Sequence, residues 1–217
     1  MTLPRRLSPP GGRPTGTLFQ VALVAVTLLA ALVGLAGGYI VHGLTTGGAT
    51  PSPVDVGFLQ DMIQHHQQAV LMSRLIEGKA GPQINSLAQG VASDQLREIG
   101  RMEGYLDLWG EPSVSSLSPM AWMIQPGPHH STEKHLTAMP GVLTQDELNR
   151  LGQATGTDVD RLYLSLMIRH HHGAVEMANH AIHHASTAQV RNFATAIAFH
   201  QQDEIQGMSR LMARLPD

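Results

Sequence analysis

Residues 62–66 read Met-Ile-Gln-His-His, and residues 167–171 read Met-Ile-Arg-His-His. In both copies the similarity continues through Ala-Val-x-Met a few residues later. A second segment, Gln-x-x-Glu-Ile-x-x-Met, occurs at residues 95–102 and again at residues 201–208. The chain is therefore a duplicated unit of two segments, and each copy carries His, Glu and Met at fixed positions.

Each copy predicts two long helices that are joined by a short turn. Ser52 and Pro53 are typical of a helix start, and Gly81-Pro82 ends this helix and begins the next. In the second copy, Ser186-Thr187 marks the corresponding turn. A short helix with a capping box is expected between the copies. The predicted helices cover roughly residues 53–78, 82–109, 145–151, 157–184 and 188–215.

This inventory predicts an all-α fold, a ferritin-like four-helix bundle with one long crossover. Neither hairpin can bury its apolar face alone, so the two hairpins should close on each other. The bundle is expected to cover residues 54–215. Its parts are repeat 1 (54–109), a connector (110–156) and repeat 2 (157–215).

Residues 18–41 form an uncharged, mostly apolar run that could span a bilayer, which needs about 20 residues. Three arginines precede the run, and no Lys or Arg follows it before Arg74. The positive-inside rule therefore predicts a cytoplasmic tail (1–17), a transmembrane anchor, a linker (42–53) and an extracytoplasmic bundle. A cleaved signal peptide is the alternative, in which case the protein is secreted.

Charge and cysteine content exclude several classes of protein. The chain has no Cys, so it forms neither a disulfide nor a thiolate metal site. All 17 acidic residues but only 11 of the 14 Lys and Arg follow the apolar run, so we expect no nucleic-acid binding. Nucleophilic catalysis finds no support, because no Gly-x-Ser-x-Gly elbow or phosphate loop is present.

The first helix of each copy carries a His on the stripe that should face the bundle core. On the second helix a glutamate interrupts the apolar stripe. An antiparallel hairpin would place His65 level with Glu98, and His170 level with Glu204. The predicted metal ligands are His65, Glu98, His170 and Glu204, the soft ligands Met62, Met102, Met167 and Met208, and the adjacent histidines His66 and His171.

Two explanations of this pattern stay open. One is a buried His–Glu hydrogen bond in each copy, with Met as ordinary core filler. The other is a metal site, for which His with thioether Met favours copper, although another divalent transition metal also fits. A di-iron centre is disfavoured, because the chain lacks the Glu-x-x-His motif of ferritin-like di-iron proteins. Gln95 and Gln201 are expected to orient the His or Glu side chains.

Further histidines lie outside the core stripe. His180 and His184 stand four residues apart and could clamp a metal ion, but a solvated polar face is the simpler explanation. His200 lies one turn before Glu204 and either supports it or faces water. The connector holds a loose tract that could recruit copper or be only a flexible loop. Its members are Met120, Met123, His129, His130, His135 and Met139.

The two motifs also resemble a known family. They read Met-Ile-x-His-His-x-x-Ala-Val-x-Met at residues 62–72 and Met-Ile-x-His-His-x-Gly-Ala-Val-x-Met at residues 167–177, with Met139-Pro140-Gly141 between them. In these features residues 54–214 resemble an exported His/Met-rich family, catalogued as a domain of unknown function, that includes CopM-type copper-binding proteins. The resemblance implies a ferritin-like bundle, an extracytoplasmic location and, for the CopM-type members, copper binding connected with copper resistance.

The leading functional hypothesis is an anchored, extracytoplasmic copper-binding protein that acts as a buffer or chaperone rather than as an enzyme. Its expected partners are a metal ion and, through the N-terminal helix, the membrane. A ferritin-like, metal-dependent redox enzyme is one alternative. A metal-free interaction bundle, in which buried His–Glu pairs set the helix register, is the other. A homo-oligomer stays open.

Overall fold

The computed structural model describes residues 20, 21, 24, 26–35, 37, 50–123 and 138–216. The chain separates into two compact units, Met1–Gly48 and Ala49–Asp217. In the first unit the described residues are helical and exposed. Among all described residues, no helix is long and apolar enough to cross a membrane. All of the predicted tail, most of the predicted linker and part of the predicted anchor lie outside the described residues, so the anchor stays a prediction.

The described residues of the second unit form five α-helices and one 3₁₀ turn, and they contain no strand. The predicted all-α fold class is therefore confirmed. The helices are α1 (Pro53–Leu75), α2 (Pro82–Trp109), α3 (Gln145–Gln153), α4 (Gly156–His184) and α5 (Ala188–Met212), with the 3₁₀ turn at Ala121–Met123 between α2 and α3.

Helix starts follow the sequence prediction because they depend on local capping. Ser52 caps α1 and exchanges hydrogen bonds with Asp55. Thr144 caps α3 in the same way and exchanges hydrogen bonds with Glu147. In both cases the side chain satisfies backbone N–H groups that the first helical turn leaves without a partner.

Helix ends differ from the prediction by a few residues. α1 ends at Leu75, before Gly78, because Gly78 already belongs to the turn and has a φ of +71°. α3 continues past Gly152, whose carbonyl accepts a hydrogen bond from Lys79 (2.8 Å). The end of α1 is therefore set locally by Gly78, whereas the end of α3 lies where Gly152 contacts the turn after α1.

The long helices form two hairpins that meet in the middle of the unit. α1 packs against α2 and α4 against α5, while α1 and α4 form the main contact between the hairpins. Phe58, near the start of α1, shares an apolar cluster with Ala181, near the end of α4. Ile76, after the end of α1, shares a second cluster with Val159, near the start of α4. α1 and α4 therefore run antiparallel, and their His-His motifs lie at the same level.

Two equivalent aspartates join the hairpins to each other. Asp55, in the first turn of α1, accepts backbone hydrogen bonds from Ser186 (2.9 Å) and Thr187 (3.0 Å), directly before α5. Asp160, its counterpart in the second copy, accepts one from Gly81 (2.8 Å), directly before α2. Each aspartate therefore holds the start of the second helix of the other hairpin.

The connector between the two copies contacts α1 and α4 at equivalent positions, which carry different residues. In the first copy, Gln68 holds the backbone of Leu143, with its Nε2 donating to the carbonyl (3.0 Å) and its Oε1 accepting from the N–H (2.7 Å). The second copy has Gly173 at this position, and a Cβ there would lie 1.9 Å from the carbonyl oxygen of Pro140. One copy therefore anchors the connector with a side chain, and the other makes room for its backbone.

We expect Gly173→Ala to lower the free energy of unfolding by about 2–3 kcal/mol, because the added Cβ forces Pro140 away from α4. Urea unfolding of residues 49–217 would measure the change. The matched control is Gly100→Ala in α2, where an added Cβ meets nothing within 4 Å. The better helix propensity of Ala should stabilise this control by about 0.5–1 kcal/mol. Equal effects of the two substitutions would contradict the close docking of Pro140.

Candidate metal centre

Four histidines from both copies are buried where α1 and α4 meet. His65, His66 and His171 have no exposed surface, and His170 is 1% exposed. They lie in sequence between the residues of α1 and α4 that form the two apolar clusters. We call these four residues the histidine layer. The duplication thus brings its two His-His motifs together inside the protein.

The two central histidines of the layer stack on each other. The ring centroids of His65 and His170 are 3.8 Å apart, with 37° between the ring planes. His65 also donates its Nε2–H to the carbonyl of Pro140 (3.0 Å). The sequence analysis assigned no role to Pro140. The signal that could have located it is Gly173, since a Gly within a helical motif indicates close approach of another backbone.

The outer histidines bind the two glutamates. Nε2 of His66 lies 2.7 Å from Glu98, and Nε2 of His171 lies 2.8 Å from Glu204. The stripes in the sequence instead predicted that each glutamate pairs with the first histidine of its own His-His motif. That pairing is wrong in both copies, by one residue.

The error has a geometric cause. Consecutive helix residues point about 100° apart, because an α-helix has 3.6 residues per turn. α1 packs against α4 and α2 at once, so that His65 meets the other hairpin while His66 meets Glu98 of its own hairpin. Periodicity identifies both stripes as buried, but it does not say which neighbouring helix each stripe meets.

Every histidine of the layer keeps a ring nitrogen without a hydrogen-bond partner among the described residues. These are Nδ1 of His65, His66 and His171, and both ring nitrogens of His170. Where Nε2 donates to an oxygen, Nδ1 of the neutral ring carries the lone pair. A buried polar atom without a partner costs about 1–3 kcal/mol. A metal ion would accept these lone pairs, and ligating histidines normally donate their other N–H to a carboxylate or carbonyl.

Burial keeps the central rings neutral. Burial, and then the neighbouring His66, lower the pKa of His65 to about 3. Burial and His65 lower the pKa of His170 well below its ordinary value. Burial raises the pKa of Glu98, but hydrogen bonds from His66 and His200 outweigh this effect and leave it below the usual value. At neutral pH the two central rings are therefore already uncharged, and metal binding does not have to displace a proton from them.

A histidine from the second hairpin also reaches Glu98. Nδ1 of His200 in α5 lies 3.3 Å from the Glu98 carboxylate. The sequence predicted that His200 either supports Glu204 or faces water. Its side chain is exposed, as the second option expected, and it contacts Glu98 rather than Glu204, so that it connects the two hairpins. Its counterpart in the first copy is Asp94, which pairs with Arg97 on the surface. The two halves of the layer are therefore not identical.

The methionines are buried in the apolar clusters on either side of the histidine layer. The buried cluster members are Met62, Met102, Met120 and Met177 on one side and Met72, Met167 and Met208 on the other, all with no exposed surface. On each side the long helices thus supply two methionines from one copy and one from the other, and Met120 comes from the connector. The sequence analysis left Met72 and Met177 out of the candidate ligands, although both lie on the same helical stripe as the histidines.

The amides Gln95 and Gln201 and the connector tract were the remaining candidates from the sequence. Oε1 of Gln95 and of Gln201 is buried and has no hydrogen-bond partner among the described residues. Of the connector tract, Met120 is buried and Met139 is half-buried, while the members between residues 124 and 137 lie outside the described residues. In the part of the chain that is described, no group of three or more His, Asp and Glu side chains is placed to hold a metal ion.

The described residues of the second unit define an all-helical protein of two hairpins, with a His–Glu pair in each copy and methionines on either side. The chain belongs to the DUF305 family, described as a domain of unknown function, whose family model matches residues 55–212. The family resemblance of the two His-His motifs is therefore confirmed. No curated protein matches the chain.

Solved structures with a similar fold include members of the same family. A presumed secreted DUF305 protein from Streptomyces coelicolor is 35% identical, with a TM-score of 0.66, and the match covers 74% of this chain and 92% of that one. A DUF305 fragment from Deinococcus radiodurans is 29% identical, with a TM-score of 0.63, and the match covers 76% and 99%. CopM in the Cu(I)-bound form is 26% identical, with a TM-score of 0.54, and the match covers 72% and 94%.

Proposed function

We propose that the protein binds copper outside the cytoplasm, held to the membrane by residues 18–41, and acts as a copper buffer or chaperone rather than as an enzyme. The histidine layer is the observation that carries the proposal. Four buried imidazoles from both copies come together there, and each keeps a ring nitrogen without a partner among the described residues. Such an arrangement lowers the stability of the metal-free protein, and a bound metal ion would offset this cost.

The choice of copper rests on the donor set. Imidazole together with thioether sulfur favours copper over the metals that prefer carboxylates. A solved structure of CopM, which is 26% identical to this chain, is of the Cu(I)-bound form. The extracytoplasmic location is supported by the distribution of charge around the apolar run and by the presumed secretion of the Streptomyces coelicolor relative.

The geometry changes the roles proposed for the carboxylates. Glu98 and Glu204 hold Nε2 of His66 and His171 and so orient the Nδ1 atoms of these rings. We therefore propose that the glutamates support the ligands and do not bind the metal directly. The proposed ligands are His65, His66, His170 and His171, with Met62, Met102, Met167 and Met208 as soft ligands.

We expect residues 49–217 to bind copper with a defined stoichiometry, and His65→Ala/His170→Ala to lose most of it. Cu(I) would be measured anaerobically by competition with a chromogenic chelator, and Cu(II) by isothermal titration. Added copper should also raise the melting temperature of the wild type, since it binds the folded state. His172→Ala is the matched control, because His172 adjoins the layer in sequence but is exposed.

Unchanged copper binding in the double variant would contradict the proposed site. Circular dichroism would show whether the variant is folded. As a milder substitution, His65→Gln/His170→Gln keeps a polar side chain of similar size and should lose copper as well. A wild type whose melting temperature does not respond to copper would instead favour the metal-free interaction bundle.

A further inference from the structure

A short segment of the connector lies directly against the histidine layer. We call this segment, residues 139–143, the strap. Its Pro140 carbonyl accepts the Nε2–H of His65 (3.0 Å). A Cβ on Gly141 would lie 2.9 Å from the carbonyl oxygen of His170, so the strap also packs closely on the backbone of α4. The strap therefore contacts the first histidine of each motif, one through its ring and the other through its backbone.

The far end of the strap is held by Gln68 of α1. This side chain donates its Nε2–H to the carbonyl of Leu143 (3.0 Å) and accepts the N–H of the same residue at Oε1 (2.7 Å). A backbone hydrogen bond of 3.3 Å closes residues 139–142 into a turn. Pro140 and Gly141, with a φ of +75° at Gly141, occupy the central positions that these residues favour in type II turns. Because the turn is closed, the hold on Leu143 also fixes the Pro140 carbonyl.

The strap assigns a tautomer to one of the two central rings. Because a carbonyl oxygen only accepts hydrogen bonds, Nε2 of His65 carries the proton and Nδ1 of the neutral ring carries the lone pair. This Nδ1 is buried and has no partner among the described residues. The second copy has Gly173 in place of Gln68, and the Pro140 carbonyl fills the space that a side chain would need there. Both copies thus contribute to placing one carbonyl on one histidine.

We propose that Gln68 is a positioning residue of the metal site. By holding Leu143 it keeps the Pro140 carbonyl on His65, which orients this ring and leaves its lone pair on Nδ1, the nitrogen that would bind the metal ion. The inference rests on the function proposed for the histidine layer. Outer-shell groups that hold a ligating histidine in this way change metal affinity by about 10–100-fold.

A second contact near the strap is expected to contribute less. Arg169 of α4 donates two hydrogen bonds to Glu147 (2.6 and 2.9 Å), close to the start of α3 and so shortly after the strap. This ion pair lies at the surface, where water screens it. Gln68 is half-buried and bonds the strap itself. We therefore assign the main hold on the strap to Gln68.

The strap also separates His65 from an open cavity of about 470 Å³. Pro140, Gly141 and Gly173 line this cavity, and among the described residues none of the four histidines of the layer does. When the strap is displaced, water from the cavity reaches the Nε2–H of His65 and exchanges its proton. The exchange rate of this proton therefore reports the position of the strap without any metal.

NMR on metal-free residues 49–217, a compact unit with its own apolar clusters, would measure this exchange after labelling with ¹⁵N-histidine. The wild type should show a protected Nε2–H of His65, assigned by its absence in His65→Gln. Gln68→Ala is expected to speed its exchange by about tenfold or more, because both hydrogen bonds to the strap are lost. Gly173→Ala, which displaces the strap from the opposite helix, should do the same. Gln67→Ala is the matched control, since Gln67 is exposed.

Copper affinity is the second readout, measured on the same variants. Gln68→Ala should weaken copper binding by about tenfold or more. Gln68→Glu keeps an acceptor for the N–H of Leu143 and should lie between this variant and the wild type in both measurements. Asp160→Ala lowers stability without a contact to the strap, so it should change neither the exchange rate nor the copper affinity. This comparison separates positioning from a general loosening of the fold.

The proposal would be overturned by an unprotected His65 proton in the wild type, or by equal exchange rates in the wild type and Gln68→Ala. It would also be overturned if Gln68→Ala sped the exchange but left copper affinity unchanged. A wild type that protects the proton but binds no copper would instead reject the function proposed for the histidine layer, so the two failures are distinguishable.

Discussion

The free energy of unfolding of the metal-free protein should fall by about 4–5 kcal/mol between pH 6.5 and pH 4.5. The cause is the buried pair His65 and His170, whose pKa values are lowered by burial, that of His65 to about 3. In the unfolded chain both residues return to the ordinary histidine pKa of about 6.5. Below that pH the two residues bind protons in the unfolded state but not in the folded state. The stability that the neutral rings provide is therefore present above pH 6.5 and is lost as the pH falls.

Urea unfolding in the presence of a chelator, at half-unit pH steps, would measure this slope. His65→Gln/His170→Gln removes both rings and should remove most of this slope, leaving the smaller contribution of His180, whose pKa burial also lowers. His172→Gln removes an exposed ring next to the layer and should keep the slope of the wild type. A flat wild-type profile would mean that the central rings are not held neutral. A slope that persists undiminished in the double variant would assign it to other groups.

Asp55→Ala should lower the free energy of unfolding by about 3–4 kcal/mol, the largest effect that we expect from a single substitution. Asp55 has no exposed surface. Its carboxylate accepts hydrogen bonds from the backbone N–H groups of Ser52, Ser186 and Thr187 and from their hydroxyls. Removing it leaves donors from both hairpins without their partner.

The stability that Asp55 provides is lost over a different pH range from the stability that the central histidines provide. Burial raises the pKa of Asp55, but the hydrogen bonds from Ser52 and Thr187 outweigh burial and hold it below the ordinary value. The stability that Asp55 provides is therefore present above pH 4 and is lost only at more acidic pH, below the histidine window. Asp55→Asn should remove this acidic phase.

Two further aspartates serve as comparisons, measured in the same urea experiment. Asp94→Ala breaks an exposed pair with Arg97 and should change stability by less than about 0.5 kcal/mol. Asp160→Ala loses the hydrogen bond from Gly81 and should lie between the two. If Asp55→Ala were as mild as Asp94→Ala, the link that Asp55 makes between the hairpins would contribute nothing to stability.

The burial of most of these side chains was predicted, but their pairing was not. The histidines and glutamates were expected in the core because they repeat on apolar stripes; His65, His66, His170, His171 and Glu98 are buried, whereas Glu204 is half-buried. The partners were assigned one residue off, since a stripe does not reveal which of two neighbouring helices it meets. Pro140 could not be placed at all, because it reaches His65 across 75 positions of the chain.

The sequence by itself determined the duplication, the helical class and the helix starts, because capping residues such as Ser52 and Thr144 act within one turn of where they stand. Only the tertiary structure decided that Asp55 and Asp160 cap the helices of opposite hairpins, and that Gly173 admits the connector. These contacts join residues far apart in the chain, and their geometry depends on how two amphipathic hairpins close on each other. Periodicity reports that a face is buried, whereas packing selects its partner.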